Sequence, residues 1–298
     1  MSRPTEPADP PISASTEDLP ADVAAALARP PAGRALSVPS GGLTWHALSW
    51  GDAAGSPVLL LHGVTSSAAT WWRVGPALAA AGHHVVAIDQ AGHGGTRRWL
   101  GHHRFRDNAA DVTGFARAAG LPRAGLAVVG HSWGAMTAAA LPAAGLRPAV
   151  LVLLDPPALP RSVMAAILED PVERHYDDLD EAMAVVRLAN PAWSDGDVRA
   201  KAEALTQFDE RAVRDVLLRN EWDGGLADLA EDAARNVPVW VVRGVPRAGG
   251  YVPDEALPAL VGRVGRERVV TIDGAPHSPQ RTHPEATVLA LLTALDQR

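Results

Sequence analysis

The strongest constraint on this chain is a short stretch at residues 126–136, which reads Leu-Ala-Val-Val-Gly-His-Ser-Trp-Gly-Ala-Met. An apolar run typical of a buried strand ends at Gly130, and an Ala-rich run typical of a helix begins after Gly134. A strand that turns into a helix within so few residues brings two backbones together around Ser132, so the flanking positions favour glycine. The pattern predicts that Ser132 is a nucleophile in a strained backbone conformation at a helix N-terminus.

Apolar runs typical of buried strands alternate along the chain with segments typical of helices. The predicted strands of this kind cover residues 58–61, 85–88, 127–129, 149–154, 237–242 and 268–272. Continuous apolar runs separated by helices are typical of a parallel sheet that is covered on both faces, so we predict an α/β fold. His62, Asp89, Ser132 and Asp155 each follow a predicted strand, at the edge where parallel sheets place their functional groups.

This alternation is interrupted once. Between about residues 159 and 235 the sequence contains helical segments only. We therefore predict a helical cap over residues 156–236, inserted between two parts of an α/β core that covers residues 36–155 and 237–298. Such a cap would lie over the strand ends.

The N-terminal 35 residues differ from the rest of the chain. They contain seven prolines, which predicts a flexible tail over residues 1–35, with room for a short helix at 17–28. The first residues are polar and lack the apolar stretch of a secretory signal, so we expect a cytoplasmic protein.

Composition excludes several classes of function. The net charge is −7, and no basic run is interleaved with aromatic residues, so we expect no nucleic-acid partner. No apolar run approaches 18 residues, and we expect no membrane span. Cysteine is absent, and the histidine pairs at 83–84 and 102–103 lack the spacing of a helical metal site, so we expect no metal ion. The sequence does not indicate an oligomeric state.

Four motifs occur in an order that resembles the α/β-hydrolase fold over about residues 36–298. They are Leu-Leu-His62-Gly, Asp89-Gln-Ala-Gly-His-Gly, Gly-His-Ser132-Trp-Gly and Gly-Ala-Pro-His277-Ser. The resemblance implies a mostly parallel eight-stranded sheet flanked by helices, with an inserted helical cap. It also implies that Ser132 is the nucleophile and that His277 is the general base.

The same resemblance implies an oxyanion hole formed by two backbone N–H groups. One belongs to Trp133, which follows the nucleophile, and the other to Val64, which follows His62-Gly63. A negative charge that develops on oxygen needs such fixed donors in a site shielded from water. His62 and His131 are expected to have structural roles.

The third member of the expected triad departs from the common pattern. In that pattern the acid lies just past the seventh strand, where this chain has Arg247. Asp155, at the end of the sixth strand, is our preferred acid, since some families of this fold carry it there. Asp254, which resembles a helix cap, is a second candidate, and a site without a working acid is the third alternative.

The leading hypothesis for function is hydrolysis of a small carboxylic ester through an acyl-enzyme, without a cofactor or metal ion. A serine at the nucleophile position argues against the epoxide hydrolases and dehalogenases of this fold, which use aspartate there. Hydrolysis of another acyl bond (carbon–carbon, lactone or thioester) and non-catalytic binding of a small molecule remain as alternatives. We expect large apolar residues of the cap, such as Trp193 and Trp222, to set substrate preference.

Overall fold

The computed structural model describes residues 12–122, 125–220, 233, 235 and 237–297. The strands are β1 (Arg34–Ser40), β2 (Leu43–Trp50), β3 (Ser56–Leu61), β4 (His83–Ile88), β5 (Ala127–His131), β6 (Val150–Leu154), β7 (Val239–Arg243) and β8 (Val269–Thr271). The described α-helices are α1 (Ala21–Ala28), α2 (Val74–Ala80), α3 (Phe105–Ala118), α4 (Trp133–Ala140), α5 (Arg161–Ala166), α6 (Leu179–Ala189), α7 (Asp195–Leu205), α8 (Glu210–Arg219), α9 (Leu257–Val264), α10 (Pro279–Thr282) and α11 (Pro284–Leu295).

The eight strands form one sheet in the order β1-β2-β4-β3-β5-β6-β7-β8. The pairs β1–β2 and β2–β4 are antiparallel, and the other neighbouring pairs are parallel. This topology confirms the predicted α/β fold with a mostly parallel eight-stranded sheet. The carboxyl ends of β3, β5 and β6 therefore lie side by side at one edge of the sheet.

Helices cover both faces of the sheet, which explains the continuous apolar runs of the strands. In β3, Leu59 and Leu61 pack into a core that includes residues of α3 and α4. Val58 and Leu60 point to the opposite face, where α1, α2 and α11 contribute the core. All four side chains are fully buried, so neither face of this strand offers a position for a polar residue.

Residues 12–28 pack against the core, in contrast to the flexible tail predicted over residues 1–35. Ile12 forms a parallel bridge with Ile272 beside β8, and Leu19, Val23 and Leu27 are buried. Val23 and Leu27 are four residues apart on one face of α1, and Leu19 precedes the helix. The flexible tail was predicted because of the prolines. Pro20, however, occupies the N-cap of α1, where the missing N–H removes no hydrogen bond of the helix. Residues 1–11 lie outside the described part of the chain.

Between β6 and β7 the chain forms the helices α5, α6, α7 and α8, with no strand among its described residues. We refer to the chain from α5 to α8, with its connecting loops, as the helical insertion. It falls within the cap predicted over residues 156–236, of which 221–232, 234 and 236, and with them Trp222, are outside the described residues. Among the helices that the structure describes, none has both the length and the apolar character needed to cross a membrane.

Candidate active site

Ser132 occupies the turn between β5 and α4, in the strained conformation that the sequence predicts. Its backbone angles are φ 53° and ψ −121°, in a region that side chains with a Cβ rarely adopt. A Cβ on Gly130 would lie 2.2 Å from the Gly134 carbonyl oxygen, and one on Gly134 would lie 2.4 Å from that of Leu61. Both glycines are therefore required by close backbone contacts around the serine.

Three polar side chains form a continuous chain of hydrogen bonds at the carboxyl edge of the sheet. His277, in the loop after β8, has its Nε2 2.9 Å from Ser132 Oγ. Its Nδ1 lies 2.7 Å from Asp155 Oδ2. A carboxylate on this side places the ring proton on Nδ1, which then donates to Asp155 and leaves Nε2 to accept from the Ser132 hydroxyl. The structure thus brings together the three residues predicted as a triad.

Asp155 follows β6 directly and is completely buried. Its carboxylate accepts hydrogen bonds from the backbone N–H of Gly244 at 2.9 Å and of Tyr251 at 2.8 Å, in addition to the contact with His277. Three donors around a buried carboxylate fix its orientation. The loop after β7, in which the common pattern has its acid, instead contributes N–H donors to an acid from the neighbouring strand.

Asp254, the second candidate for the acid, lies away from His277. It is 72% exposed and forms an ion pair with Arg243 at 2.7 Å. It also does not cap a helix, because Pro253 holds the N-cap position of the short 3-10 helix that begins at Asp254. Arg247, in the position of the common acid, is exposed.

Two further side chains hold His277 in place, and the first of them was not predicted from the sequence. The Tyr251 ring stacks on the His277 imidazole with a centroid distance of 3.6 Å and an interplanar angle of 14°. His131 Nε2 lies 2.8 Å from the His277 carbonyl oxygen, to which it donates. Burial and the neighbouring His277 lower the pKa of His131 well below its usual range, so its ring is neutral. His131 thus fixes the backbone of His277, and it also borders the cavity described below.

The loop after β3 approaches Ser132 closely. A Cβ on Gly63 would lie 3.1 Å from the Ser132 Cβ. His62 fixes this loop because its Nδ1–H donates to the Gly63 carbonyl at 2.7 Å and its Nε2 accepts from the Gln90 N–H at 3.0 Å. Burial lowers the pKa of His62 to about 4, and the ring is neutral at pH 7. Within the part of the chain that the structure describes, the N–H groups of Val64 and Trp133, the two predicted oxyanion donors, have no acceptor.

A cavity of about 280 Å³ connects Ser132 and His277 with the helical insertion. Its wall includes Glu173 and Lys201 from the insertion, and Lys201 is only 6% exposed at its side chain. The Lys201 ammonium donates to Glu173 Oε2 at 2.6 Å and to both the carbonyl and the hydroxyl oxygen of Thr65 at 3.0 Å. Thr65 follows Val64 and has a φ of 54°, so the ammonium holds a strained residue next to the predicted oxyanion loop.

The charges of Lys201 and Glu173 depend on each other. Burial raises the pKa of Glu173, but the Lys201 ammonium and hydrogen bonds outweigh this effect, and the pKa lies below its usual value. Burial lowers the pKa of Lys201, and the Glu173 carboxylate opposes that shift. Neither residue was predicted as part of the site from the sequence. The one available signal was that Lys201 is the only lysine in 298 residues, which composition alone does not connect with a site.

Comparison with known proteins agrees with this architecture. The family model described as "Alpha/beta hydrolase family" matches residues 58–291. Lipase LipV of Mycobacterium tuberculosis is 32% identical over 248 residues, a match that covers 74% of this chain and 86% of the lipase. The 2-(acetamidomethylene)succinate hydrolase of Mesorhizobium japonicum is 28% identical over 268 residues, which is 82% of this chain and 89% of that enzyme.

The match to epoxide hydrolase B of Mycobacterium tuberculosis is shorter. It has 42% identity over 89 residues and spans about a quarter of that protein, 24% of its length and 29% of this chain. Among solved structures, the E-2-(acetamidomethylene)succinate hydrolase has a TM-score of 0.75 at 22% identity and covers 89% of this chain and 99% of its own. At that identity the likeness concerns the fold. The sheet order, the family match over residues 58–291 and the lipase relative together show that this chain belongs to the alpha/beta hydrolase family.

Proposed function

We propose that this hydrolase cleaves a small carboxylic ester through an acyl-enzyme formed on Ser132. The observation that carries the proposal is the hydrogen-bonded chain from Ser132 through His277 to Asp155, with distances of 2.9 and 2.7 Å. A serine hydroxyl is a weak nucleophile unless a base takes its proton, and the imidazole Nε2 is in reach to do so. Asp155 would keep the proton on Nδ1 and stabilise the imidazolium.

The reaction then proceeds in two halves. Ser132 Oγ forms a bond to the carbonyl carbon of the ester while its proton moves to His277 Nε2. The C–O bond to the alcohol breaks, and the leaving alkoxide takes that proton. Water attacks the acyl-enzyme, again with His277 as base, and the carboxylic acid leaves as Ser132 regains its proton. The N–H groups of Val64 and Trp133 are the proposed donors to the oxyanion of both tetrahedral intermediates.

The helical insertion is proposed to act as a cap that sets substrate preference. Trp193 packs its ring under the Arg281 guanidinium, with Cζ 4.4 Å from the ring centroid, and both side chains border the cavity. Replacing Trp193 with alanine would therefore change the ranking of substrates more than the rate with the smallest ester.

An acyl bond other than an ester is the second candidate. The relative named 2-(acetamidomethylene)succinate hydrolase favours it, since the name describes a compound with an amide bond. Epoxide hydrolysis finds less support, because the nucleophile position holds a serine, and the similarity to epoxide hydrolase B covers 89 residues only. A panel of matched ester, thioester, lactone and amide substrates would rank these bonds.

Labelling with a fluorophosphonate, followed by steady-state hydrolysis of short p-nitrophenyl esters, tests the proposal directly. Ser132→Ala should abolish labelling and lower the rate about a thousandfold or more, with the fold retained. Ser56→Ala, which removes an exposed hydroxyl at the start of β3, is the matched control and should behave as the parent protein. Ester turnover that persists in purified Ser132→Ala would overturn the proposal, and no turnover by the parent protein would favour a binding function.

A further inference from the structure

Five charged side chains lie together where the helical insertion meets the cavity. They are Arg73, Glu173, Asp197, Lys201 and Arg281, which we call the charge cluster. Glu173 pairs with Lys201 at 2.6 Å, and Asp197 pairs with Arg73 at 2.5 Å. The cluster therefore contains three cations and two carboxylates, and each carboxylate has its own cation. One positive charge remains, on Arg281.

Arg281 lies in α10, four residues after His277, and is only 6% exposed. Its Nε and Nη2 are held by Thr70 Oγ1 at 3.3 and 3.0 Å, and Nη2 also approaches Ser66 Oγ at 3.5 Å. These partners are neutral hydroxyls. Among the described residues Arg281 forms no ion pair with a carboxylate, and its Nη1 has no hydrogen-bond partner.

The Arg281 guanidinium is attracted by the two carboxylates of the cluster, but these contact the other cations. A buried guanidinium that contacts no carboxylate is costly, because charges removed from water need a partner. The side chain is nevertheless fixed, by the two hydroxyls and by the Trp193 ring below it. Arg281 borders the same cavity as Ser132 and His277. Asp170 also borders this cavity, but its side chain is exposed to water, which screens its charge. The positive charge of Arg281 thus faces a space that a substrate would occupy.

We propose that Arg281 binds a carboxylate of the substrate, so that the enzyme acts on small esters of dicarboxylic acids that keep one carboxylate free. The single uncompensated charge matches a monoanion, and the planar guanidinium matches a carboxylate. The cavity of about 280 Å³ limits such substrates to short chains. The assignment of a substrate class depends on the proposed ester hydrolysis, whereas the binding of a carboxylate does not.

Paired substrates separate a role in recognition from a structural one. Monomethyl glutarate carries the carboxylate, and methyl 5-methylhexanoate replaces it with an isopropyl group of similar shape. Arg281→Met should lower kcat/KM for monomethyl glutarate about thirtyfold, the effect of losing a hydrogen bond between charged groups. The value for the neutral ester should stay within about threefold. Arg199→Met, which removes an exposed guanidinium from α7, is the matched control for both substrates. An equal loss for the two esters would show a structural role and overturn the proposal.

Binding to a Ser132→Ala protein tests Arg281 without any turnover. Calorimetric titration should give tighter binding of the monomethyl esters of succinate, glutarate or adipate than of their neutral isosteres, and addition of Arg281→Met should remove the difference. Thermal unfolding of each variant checks that it is folded. If the parent protein hydrolyses no ester but this difference persists, the proposed function fails and the carboxylate site stands. If no monoester binds more tightly than its neutral isostere, the proposal of a carboxylate site is wrong. It is also wrong if inorganic phosphate binds as tightly as the monoesters.

Discussion

The two sides of the cavity are polar in different ways. On the side of the sheet, three buried histidines, His62, His93 and His131, have pKa values lowered by burial, and they hold loops together as neutral rings. On the side that faces the helical insertion, the polar residues are the charged side chains of the charge cluster, of which Asp197, Lys201 and Arg281 are buried. The first arrangement depends on backbone partners, and the second depends on ion pairs between side chains, with Arg281 left outside the pairs. We therefore expect different substitutions and pH changes to disrupt the two sides.

Asp155→Asn should produce the largest effect. Among the described residues, Asp155 is the carboxylate that contacts His277, and an amide there favours the wrong ring tautomer. We expect kcat for ester hydrolysis to fall up to about ten-thousandfold with a much smaller change in KM. Steady-state kinetics of the purified variant measures both. A loss that appears mainly in KM would contradict the role assigned to Asp155.

Lys201→Met should destabilise the side of the cavity that the helical insertion forms. It leaves Glu173 largely buried without its cation, which costs about 3 kcal/mol in the free energy of unfolding. It also removes two hydrogen bonds to Thr65, so kcat should fall as well. Urea unfolding measures the stability, and the double variant Lys201→Met/Glu173→Gln should recover part of it. Arg199→Met on the same helix should change the free energy of unfolding by no more than about 0.5 kcal/mol.

The neutral histidines predict a dependence of stability on pH. The pKa of His62 is about 4 in the folded protein and 6.5 as its ordinary value, so the unfolded chain binds the proton first as the pH falls. The contribution of neutral His62 to the free energy of unfolding is therefore fully present above pH 6.5 and is lost as the pH falls toward 4. Between pH 7 and pH 5, His62 alone should account for about 2 kcal/mol. Urea unfolding of the parent and of His62→Gln at both pH values should show a smaller pH effect in the variant.

Asp254→Asn should produce the smallest effect. The Asp254 carboxylate is 72% exposed, so solvent weakens its ion pair with Arg243, although the Arg243 side chain is buried. We expect a change of at most about 1 kcal/mol in unfolding and an unaltered kcat. Because the variant makes the same chemical change as Asp155→Asn, it serves as its control. A large loss of kcat would return Asp254 to consideration as the acid.

The sheet side of this molecule was accessible to sequence analysis because strand ends fix residues in space. Each apolar run predicts a strand, and the residue after it lies at a known edge, so Ser132 and Asp155 could be placed together from their positions in the sequence alone. His277 followed from its motif near the C-terminus.

The charge cluster was not predictable in this way. Thr65 and Glu173 are 108 residues apart, and Arg73 and Asp197 are 124 residues apart, in segments without a recognisable motif. Their contacts depend on how the helical insertion packs on the sheet, which periodicity does not determine. Tyr251 was missed for a related reason, because its stacking on His277 requires the loop after β7 to fold over the end of β8. The packing of the N-terminal helix was not predicted, because the many prolines indicated a flexible tail and the apolar face of the helix is short.

The position of the sole lysine also allows a motion of the molecule to be measured chemically. Amine-reactive reagents can modify only the N-terminal amine and Lys201, and the Lys201 amine is enclosed between the helical insertion and the loop at Thr65. Its rate of acylation, followed peptide by peptide in a mass spectrometer, would measure how often these two parts separate. A ligand that fills the cavity should slow that reaction without touching the N-terminal amine, so that occupancy becomes readable even for compounds that are never turned over.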